Sequence, residues 1–79
     1  KLKILYIKNN LIKNFERDCF MHTHLLEFLD LSQNKLENIS IYLFSNLDSL
    51  LNLNLSSNLI SIIQKKSFSK LSELRYLDL

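Results

Sequence analysis

The sequence predicts a solenoid of short stacked repeats, each contributing one short β-strand. Three observations support this prediction. The chain of 79 residues repeats its pattern every 24 residues, and a fixed period of roughly 20 to 50 residues indicates a repeat architecture. Apolar and polar residues alternate briefly in each repeat, as in a strand with one buried face. Gly and Pro are absent, so the chain must reverse direction without the residues that serve most tight turns.

The strand is the first element of each unit. Complete units begin at Leu2, Leu26 and Leu50, and a partial unit begins at Leu74, so the units span 2–25, 26–49, 50–73 and 74–79. Positions 1, 4 and 6 of each unit are apolar, and the step of two from position 4 to position 6 predicts a strand whose alternate side chains enter a core. These core positions are Leu2, Leu5, Ile7, Leu26, Leu29, Leu31, Leu50, Leu53 and Leu55.

A turn and a return segment follow each strand. Position 9 is Asn in every complete unit, at Asn10, Asn34 and Asn58. The apolar anchors of the return segment are Ile12, Phe15, Phe20, Leu36, Ile39, Phe44, Leu47, Ile60, Ile63, Phe68 and Leu71. Thr23 replaces the Leu of position 22 in the first unit, which predicts a looser return segment there. The intervening polar residues differ between units, as a solvated surface permits.

Composition excludes several classes of function. The net charge is +2, from 10 basic and 8 acidic residues, and an acidic second unit separates two basic ones. The chain therefore has no continuous basic stripe for nucleic acid and no strong attraction to an anionic membrane. The longest apolar runs fall far short of the roughly 20 residues of a membrane-spanning helix. Cys19 is the only cysteine, so no internal disulfide framework is expected.

The repeated residues resemble those of a known family. The pattern L-x-x-L-x-L-x-x-N-x-L, with an apolar residue three places later and Phe at position 19, is similar to the leucine-rich repeat. The resemblance covers nearly the whole chain, and the 24-residue length is similar to the class found in Toll-like receptors and many secreted or cell-surface proteins. It implies an α/β solenoid, a right-handed leucine-rich-repeat superhelix with short parallel strands on the concave side and irregular or 3₁₀ segments on the convex side.

The same resemblance implies structural roles for the repeated Asn and Phe residues. In this family the Asn side chain bonds to backbone groups after the strand and forms a ladder between units, which would turn the chain in place of Gly and Pro. Such a role suits Asn10, Asn34 and Asn58 because an amide is costly to bury unless its hydrogen bonds are made. The Phe residues recur in register with the core and are expected to form a column beneath the convex side.

Strand positions 2, 3, 5, 7 and 8 are expected to point away from the core and to form the concave surface. Exposed aromatic residues beside charged ones are typical of protein-binding surfaces, although these rings could instead pack only against neighbouring strands. The candidates for ligand contact are Tyr6, Lys8, Glu27, Phe28, Asp30, Gln33, Asn52, Asn54, Arg75 and Tyr76.

Two N-glycosylation sequons occur, Asn38-Ile39-Ser40 and Asn54-Leu55-Ser56, and their use would require passage through a secretory pathway. Asn38 follows the strand, whereas Asn54 lies on it. We therefore expect Asn38 to be modified more readily than Asn54.

Cys19, His22 and His24, with Glu16 and Asp18 nearby, form the one group of residues that resembles a chemical site. A zinc site needs four converging ligands, and a Cys nucleophile needs an activating base and an oxyanion hole. The chain offers neither set, so we expect no enzymatic activity, no metal and no cofactor.

The leading functional hypothesis is a ligand-recognition or protein-recognition module in an innate immune receptor ectodomain most like that of a Toll-like receptor. This hypothesis implies a protein or microbial-pattern ligand, contacts with adjacent repeats of the same chain, receptor dimerisation, and a location outside the cell. One alternative is a secreted leucine-rich-repeat immune or matrix protein. Another is the targeting region of an intracellular enzyme.

The boundaries of the sequence lead to one more expectation. Neither end resembles a capping unit, so the sequence is interpreted as an interior leucine-rich-repeat segment of a longer protein. Solenoids need polar terminal units for solubility. The isolated 79 residues are therefore expected to be poorly soluble or only marginally folded.

Overall fold

A computed structural model describes residues 3–8, 10–13, 20, 23–40 and 42–79. The predictions made for Leu2, Phe15, Glu16, Asp18, Cys19 and His22 lie outside these described residues.

Six short strands form two parallel sheets. The strands are β1 (Ile4–Tyr6), β2 (Phe28–Asp30), β3 (Asn38–Ile39), β4 (Asn52–Asn54), β5 (Ile62–Ile63) and β6 (Tyr76–Asp78). The main sheet has the order β1-β2-β4-β6, and every neighbouring pair is parallel. Its register pairs Leu5 with Leu29, Leu29 with Leu53, and Leu53 with Leu77. Residues paired across neighbouring strands are therefore 24 positions apart in the sequence, which is the repeat length.

The second sheet was not predicted from the sequence. Strands β3 and β5 pair in parallel, with Asn38 beside Ile62 and Ile39 beside Ile63. The amide of Leu59 also donates to the carbonyl of Leu36 at 2.9 Å. The return segments of the second and third units are thus hydrogen-bonded to each other. Turns and irregular segments make up the remainder of the described residues.

Most of the core consists of the apolar residues predicted from the repeat, and the central units bury them best. Two residues differ from the prediction: Ile63, an expected anchor, is 42% exposed, and Leu43, which was not predicted, is buried. Leu26, Leu29 and Leu31 are fully buried, as is Leu50, while Leu5 and Ile7 pack against the cluster with partial exposure. This gradient has a simple geometric cause, because the strand of a central unit has a neighbour on both sides and β1 and β6 have one. Stacking of this kind makes stability depend on contacts between adjacent units.

The Phe column lies beneath the return segments. Phe20 and Phe44 are buried, and the rings of Phe44 and Phe68 stack with centroids 5.9 Å apart and an interplanar angle of 18°. Next to Phe68, the buried hydroxyl of Ser67 donates to the carbonyl of Ile39 in the preceding unit at 3.0 Å. In the third unit, Ser67 therefore adds a polar connection to the preceding unit beside the apolar contact made by Phe68.

Thr23 keeps the turn that Leu makes in the other units. Its amide donates to the carbonyl of Phe20 at 3.2 Å, as the amide of Leu47 does to that of Phe44 at 3.1 Å. The hydroxyl of Thr23 also donates to the carbonyl of Phe20 at 2.9 Å. The turn at Thr23 is therefore as well bonded as its counterparts; residues 14–19 and 21–22 of that return segment lie outside the described residues.

The turns after β2 and β4 each use a residue in the left-handed conformation. Gln33 and Ser57 both have φ of 57°, a region that costs a residue other than Gly roughly 1 to 2 kcal/mol. The family resemblance implies that the Asn side chain turns the chain, but the left-handed residue is the one before Asn34 and the one before Asn58. The hydrogen bonds of the Asn side chain hold the turn closed and offset this cost.

No helix in the described residues has the length and apolar character needed to cross a membrane.

Candidate functional site

The candidate site is the outer surface of the main sheet, here called the sheet face. It consists of the side chains that alternate with the buried leucines along each strand. The register places them in two rows across the strands. One row is Ile4, Phe28, Asn52 and Tyr76, and the other is Tyr6, Asp30, Asn54 and Asp78. Neighbouring members of a row lie on adjacent strands, whose backbones are about 4.8 Å apart.

Aromatic rings lie at two places on the sheet face. Tyr6 and Tyr76 are each 64% exposed. The ring of Tyr6 contacts that of Phe28 with centroids 5.2 Å apart and a tilt of 54°, an arrangement favoured by aromatic pairs. Phe28 is half-buried. The sequence left two roles open for these rings, contact with a ligand and lateral packing against a neighbouring strand. Phe28 packs laterally, whereas the two tyrosines retain exposed surface.

A depression of about 490 Å³ lies on the sheet face over β4 and β6. Its lining includes Phe28, Asn52, Asn54, Arg75 and Tyr76, five of the residues predicted to contact a ligand, together with Leu53, Leu77 and Asp78. Arg75 and Asp78 give this depression one charge of each sign. It therefore offers an aromatic ring, amide groups and both charges to a ligand, which is the mixed composition of protein-binding surfaces.

Asp30 and Ser32 differ from the expectation that they would be exposed. Asp30 is 6% exposed and Ser32 5%. The carboxylate of Asp30 accepts the Ser32 amide at 2.9 Å and the Ser32 hydroxyl at 2.6 Å. This pair closes the strand end in the manner of an Asx turn. Asp30 is thus positioned to hold the backbone, and little of its surface is left for a ligand.

Asn54 makes the same turn in the third unit. Its side-chain oxygen accepts the amide of Ser56 at 3.0 Å and its hydroxyl at 2.7 Å, and Asn54 is half-buried. This pair was not predicted from the sequence, although the signal is present. Asp or Asn at position 5 is followed by Ser at position 7 in both units, immediately before the turn.

The remaining candidates lie around the depression. Glu27 is within 3.9 Å of Lys3, and both side chains are well exposed, so this pair contributes little to stability. Lys8 and Gln33 are exposed beyond the ends of β1 and β2. Four candidates do not line the depression and belong to the first and second units, on the β1 and β2 side of it: Tyr6, Lys8, Glu27 and Gln33.

The Asn residues of position 9 bond to the backbone. The amide nitrogen of Asn34 lies within 3.1 Å of the carbonyls of Ile7, Leu31 and Ser32, and its oxygen accepts the amide of Ile12 at 3.3 Å. Asn34 therefore connects the first unit to the second.

Asn58 makes the equivalent bonds one unit later. Its nitrogen donates to the carbonyl of Leu31 at 3.0 Å and to that of Leu55 at 2.9 Å, and its oxygen accepts the Leu36 amide at 3.0 Å. Asn10 donates to the carbonyls of Ile7 and Lys8 within its own unit.

Within the part of the chain that the structure describes, no three residues of the metal-binding types His, Cys, Asp and Glu converge. His24 is exposed, and Cys19 and His22, its neighbours in the sequence, lie outside that part.

Comparisons with known proteins agree with this architecture. The sequence model of the leucine rich repeat family matches residues 1–36 and 29–79. The Toll receptor chain in the structure of the Toll–Spatzle complex from Drosophila superposes with a TM-score of 0.95 at 35% sequence identity. The match covers 98% of this chain and 10% of that chain. No curated protein matches the chain significantly. The solenoid fold and the similarity to a Toll receptor segment are therefore both confirmed.

Proposed function

Because the chain belongs to the leucine-rich repeat family, we propose that it is a protein-recognition segment in the ectodomain of an innate immune receptor of the Toll type. The observation that carries this proposal is the depression on the sheet face, where Arg75, Tyr76 and Asp78 meet Asn52 across neighbouring strands. Aromatic and arginine side chains are the residues that most often dominate binding energy at protein interfaces.

The similarity to Toll supports a protein as the ligand. The solved Toll chain is in complex with Spatzle, and the match spans about a tenth of that chain. A segment of this size contributes one part of a longer recognition surface. We accordingly assign receptor dimerisation and signalling to the whole receptor, and we assign this segment to the outside of the cell.

Site-specific photo-crosslinking in the full-length protein tests the proposed surface. A photoreactive residue replaces Tyr76 on the sheet face or, as a matched control, Lys70 in the exposed return segment of the neighbouring unit. Illumination of intact cells should give a discrete protein adduct at position 76 that excess unmodified ectodomain suppresses, and none at position 70. Equal adducts at both positions, or none at position 76, would contradict the proposal.

The location of the segment is tested on the same cells. Labelling with a membrane-impermeant amine reagent should modify exposed lysines such as Lys65 and Lys70 on intact cells. If these lysines react only after the cells are permeabilised, the chain faces the cytosol, and the alternative of a targeting region in an intracellular enzyme gains support.

A further inference from the structure

We propose that Asn38 carries an N-linked glycan and that Asn54, in the second sequon, does not. This inference rests on the extracellular location proposed above. Both residues meet the sequence requirement, so the sequon alone does not distinguish them. Their surroundings in the fold do.

Asn38 presents its carboxamide on the outside of the molecule. It lies in β3 and is exposed. Its side chain makes no hydrogen bond within the described residues, whereas the hydroxyl oxygen of Ser40, the third sequon residue, accepts the amide of Tyr42 at 3.0 Å. A sugar attached to the nitrogen of Asn38 would replace no contact among the described residues.

Asn54 is placed differently. The bonds of its oxygen to the Ser56 amide and hydroxyl fix the orientation of its carboxamide, and its side chain is half-buried in the row between Asp30 and Asp78. The side chains of Asp30 and Asp78 stand on the strands about 4.8 Å to either side, so a sugar attached to Asn54 would crowd against them. A chain modified at Asn54 before folding could not close this part of the sheet, so such molecules are depleted from the folded protein.

The modification is a group transfer from a lipid-linked pyrophosphate oligosaccharide. The amide nitrogen of Asn38 attacks C1 of the first sugar and forms a C–N bond. The bond between C1 and the pyrophosphate oxygen breaks, the lipid pyrophosphate leaves with the bonding electrons, and the nitrogen loses one proton. No oxidant or reductant is needed.

The glycan would also cover an apolar side chain. Asn38 and Ile62 are register partners in the second sheet, so their side chains lie on the same side of it, and Ile62 is 57% exposed. A sugar on Asn38 would lie over Ile62 and away from the sheet face, leaving the proposed recognition surface open.

Glycopeptide mapping of the full-length protein from a secretory host tests the inference. Glycosidase treatment in ¹⁸O-labelled water marks each formerly modified Asn. We expect the label on Asn38 in most molecules and almost none on Asn54. Ser40→Ala should abolish modification at Asn38, whereas the matched Ser40→Thr keeps a hydroxyl that can serve the sequon and accept the Tyr42 amide, and should preserve it. Ser56→Thr should add no label at Asn54.

Two outcomes would overturn the inference. Asn38 could be unmodified, or Asn54 could be labelled as strongly as Asn38. The lysine-labelling experiment on intact cells separates the two levels of the argument. If the segment is outside the cell and Asn38 is bare, only the glycosylation inference fails. If the segment faces the cytosol, both the proposed location and the modification fail.

Discussion

In the second and third units, a single amide side chain joins neighbouring turns of the solenoid. Asn34 donates to carbonyls of its own unit and of the preceding one, and its oxygen accepts an amide from the preceding unit as well. Its burial and these bonds depend on each other, because an amide without partners is costly to remove from water.

Replacing Asn34 tests this role. Asn34→Leu leaves several backbone groups without a partner, and each such group costs roughly 1 to 3 kcal/mol. We expect the free energy of unfolding, measured by urea denaturation of the full-length ectodomain, to fall by about 3 kcal/mol. Lys35→Leu, at the adjacent exposed position, is the control and should change it by no more than about 0.5 kcal/mol. Equal losses for the two variants would contradict the role assigned to Asn34.

The turn formed by Asp30 and Ser32 gives a second test. The third unit places Asn54 at the equivalent position, where it makes the same two bonds. Asp30→Asn should therefore change the free energy of unfolding by less than about 1 kcal/mol, whereas Asp30→Leu removes the acceptor and should cost about 2 to 3 kcal/mol. Circular dichroism during urea denaturation measures both values, and a similar loss for the two variants would refute the proposed turn.

The Asp30→Asn variant also separates structure from recognition. If it leaves stability intact but weakens partner binding, the carboxylate contacts the ligand, as the sequence predicts. Unchanged binding would indicate that Asp30 forms the turn with Ser32 and does not contact the ligand.

At the scale of the strands, the repeat dictates the pairing. In the main sheet, each described strand residue pairs with the residue one repeat away, so the period of the sequence sets the register of the strands. The second sheet follows the same register. It could not be predicted, because two-residue strands leave no alternation to detect and Asn38 and Ile62 share no chemical character.

Two serines in one turn allow a test of the coupling between return segments. The buried hydroxyl of Ser67 bonds to the carbonyl of Ile39 in the preceding unit and to that of Gln64 in its own. The exposed hydroxyl of Ser69 bonds only to the carbonyl of Lys66, within its own turn, among the described contacts. Ser67 therefore connects two units, and Ser69 serves as its matched control.

Ser67→Ala should lower the free energy of unfolding by about 1 to 2 kcal/mol, because the carbonyls of Ile39 and Gln64 lose the one hydroxyl proton that they share. Ser69→Ala should change it by no more than about 0.5 kcal/mol. Thermal or urea denaturation of the full-length ectodomain measures the difference. A Ser69→Ala loss as large as that of Ser67→Ala would show that the contact between units contributes nothing specific.

At the scale of the whole molecule, the fold was more predictable than the site. Buried leucines, the Phe column and the parallel strands all follow from one repeated pattern, because each unit needs its neighbours to cover its apolar side. The sheet face carries no such repetition. Asp30 and Tyr6 occupy the same row, yet one is buried by its turn with Ser32 and the other is exposed, a difference that depends on contacts in three dimensions.

The central claim is that the sheet face recognises a protein, and one affinity comparison tests it most directly. The dissociation constant of the full-length ectodomain for the partner crosslinked through position 76 is measured for the wild type, Tyr76→Ser and Lys70→Ser. The unfolding midpoint of each variant is measured alongside, so that a loss of affinity is separated from a loss of folding. We expect Tyr76→Ser to weaken binding about tenfold or more, as removal of a dominant interface residue does, and Lys70→Ser to leave it unchanged. Equal affinity for all three proteins would contradict the claim.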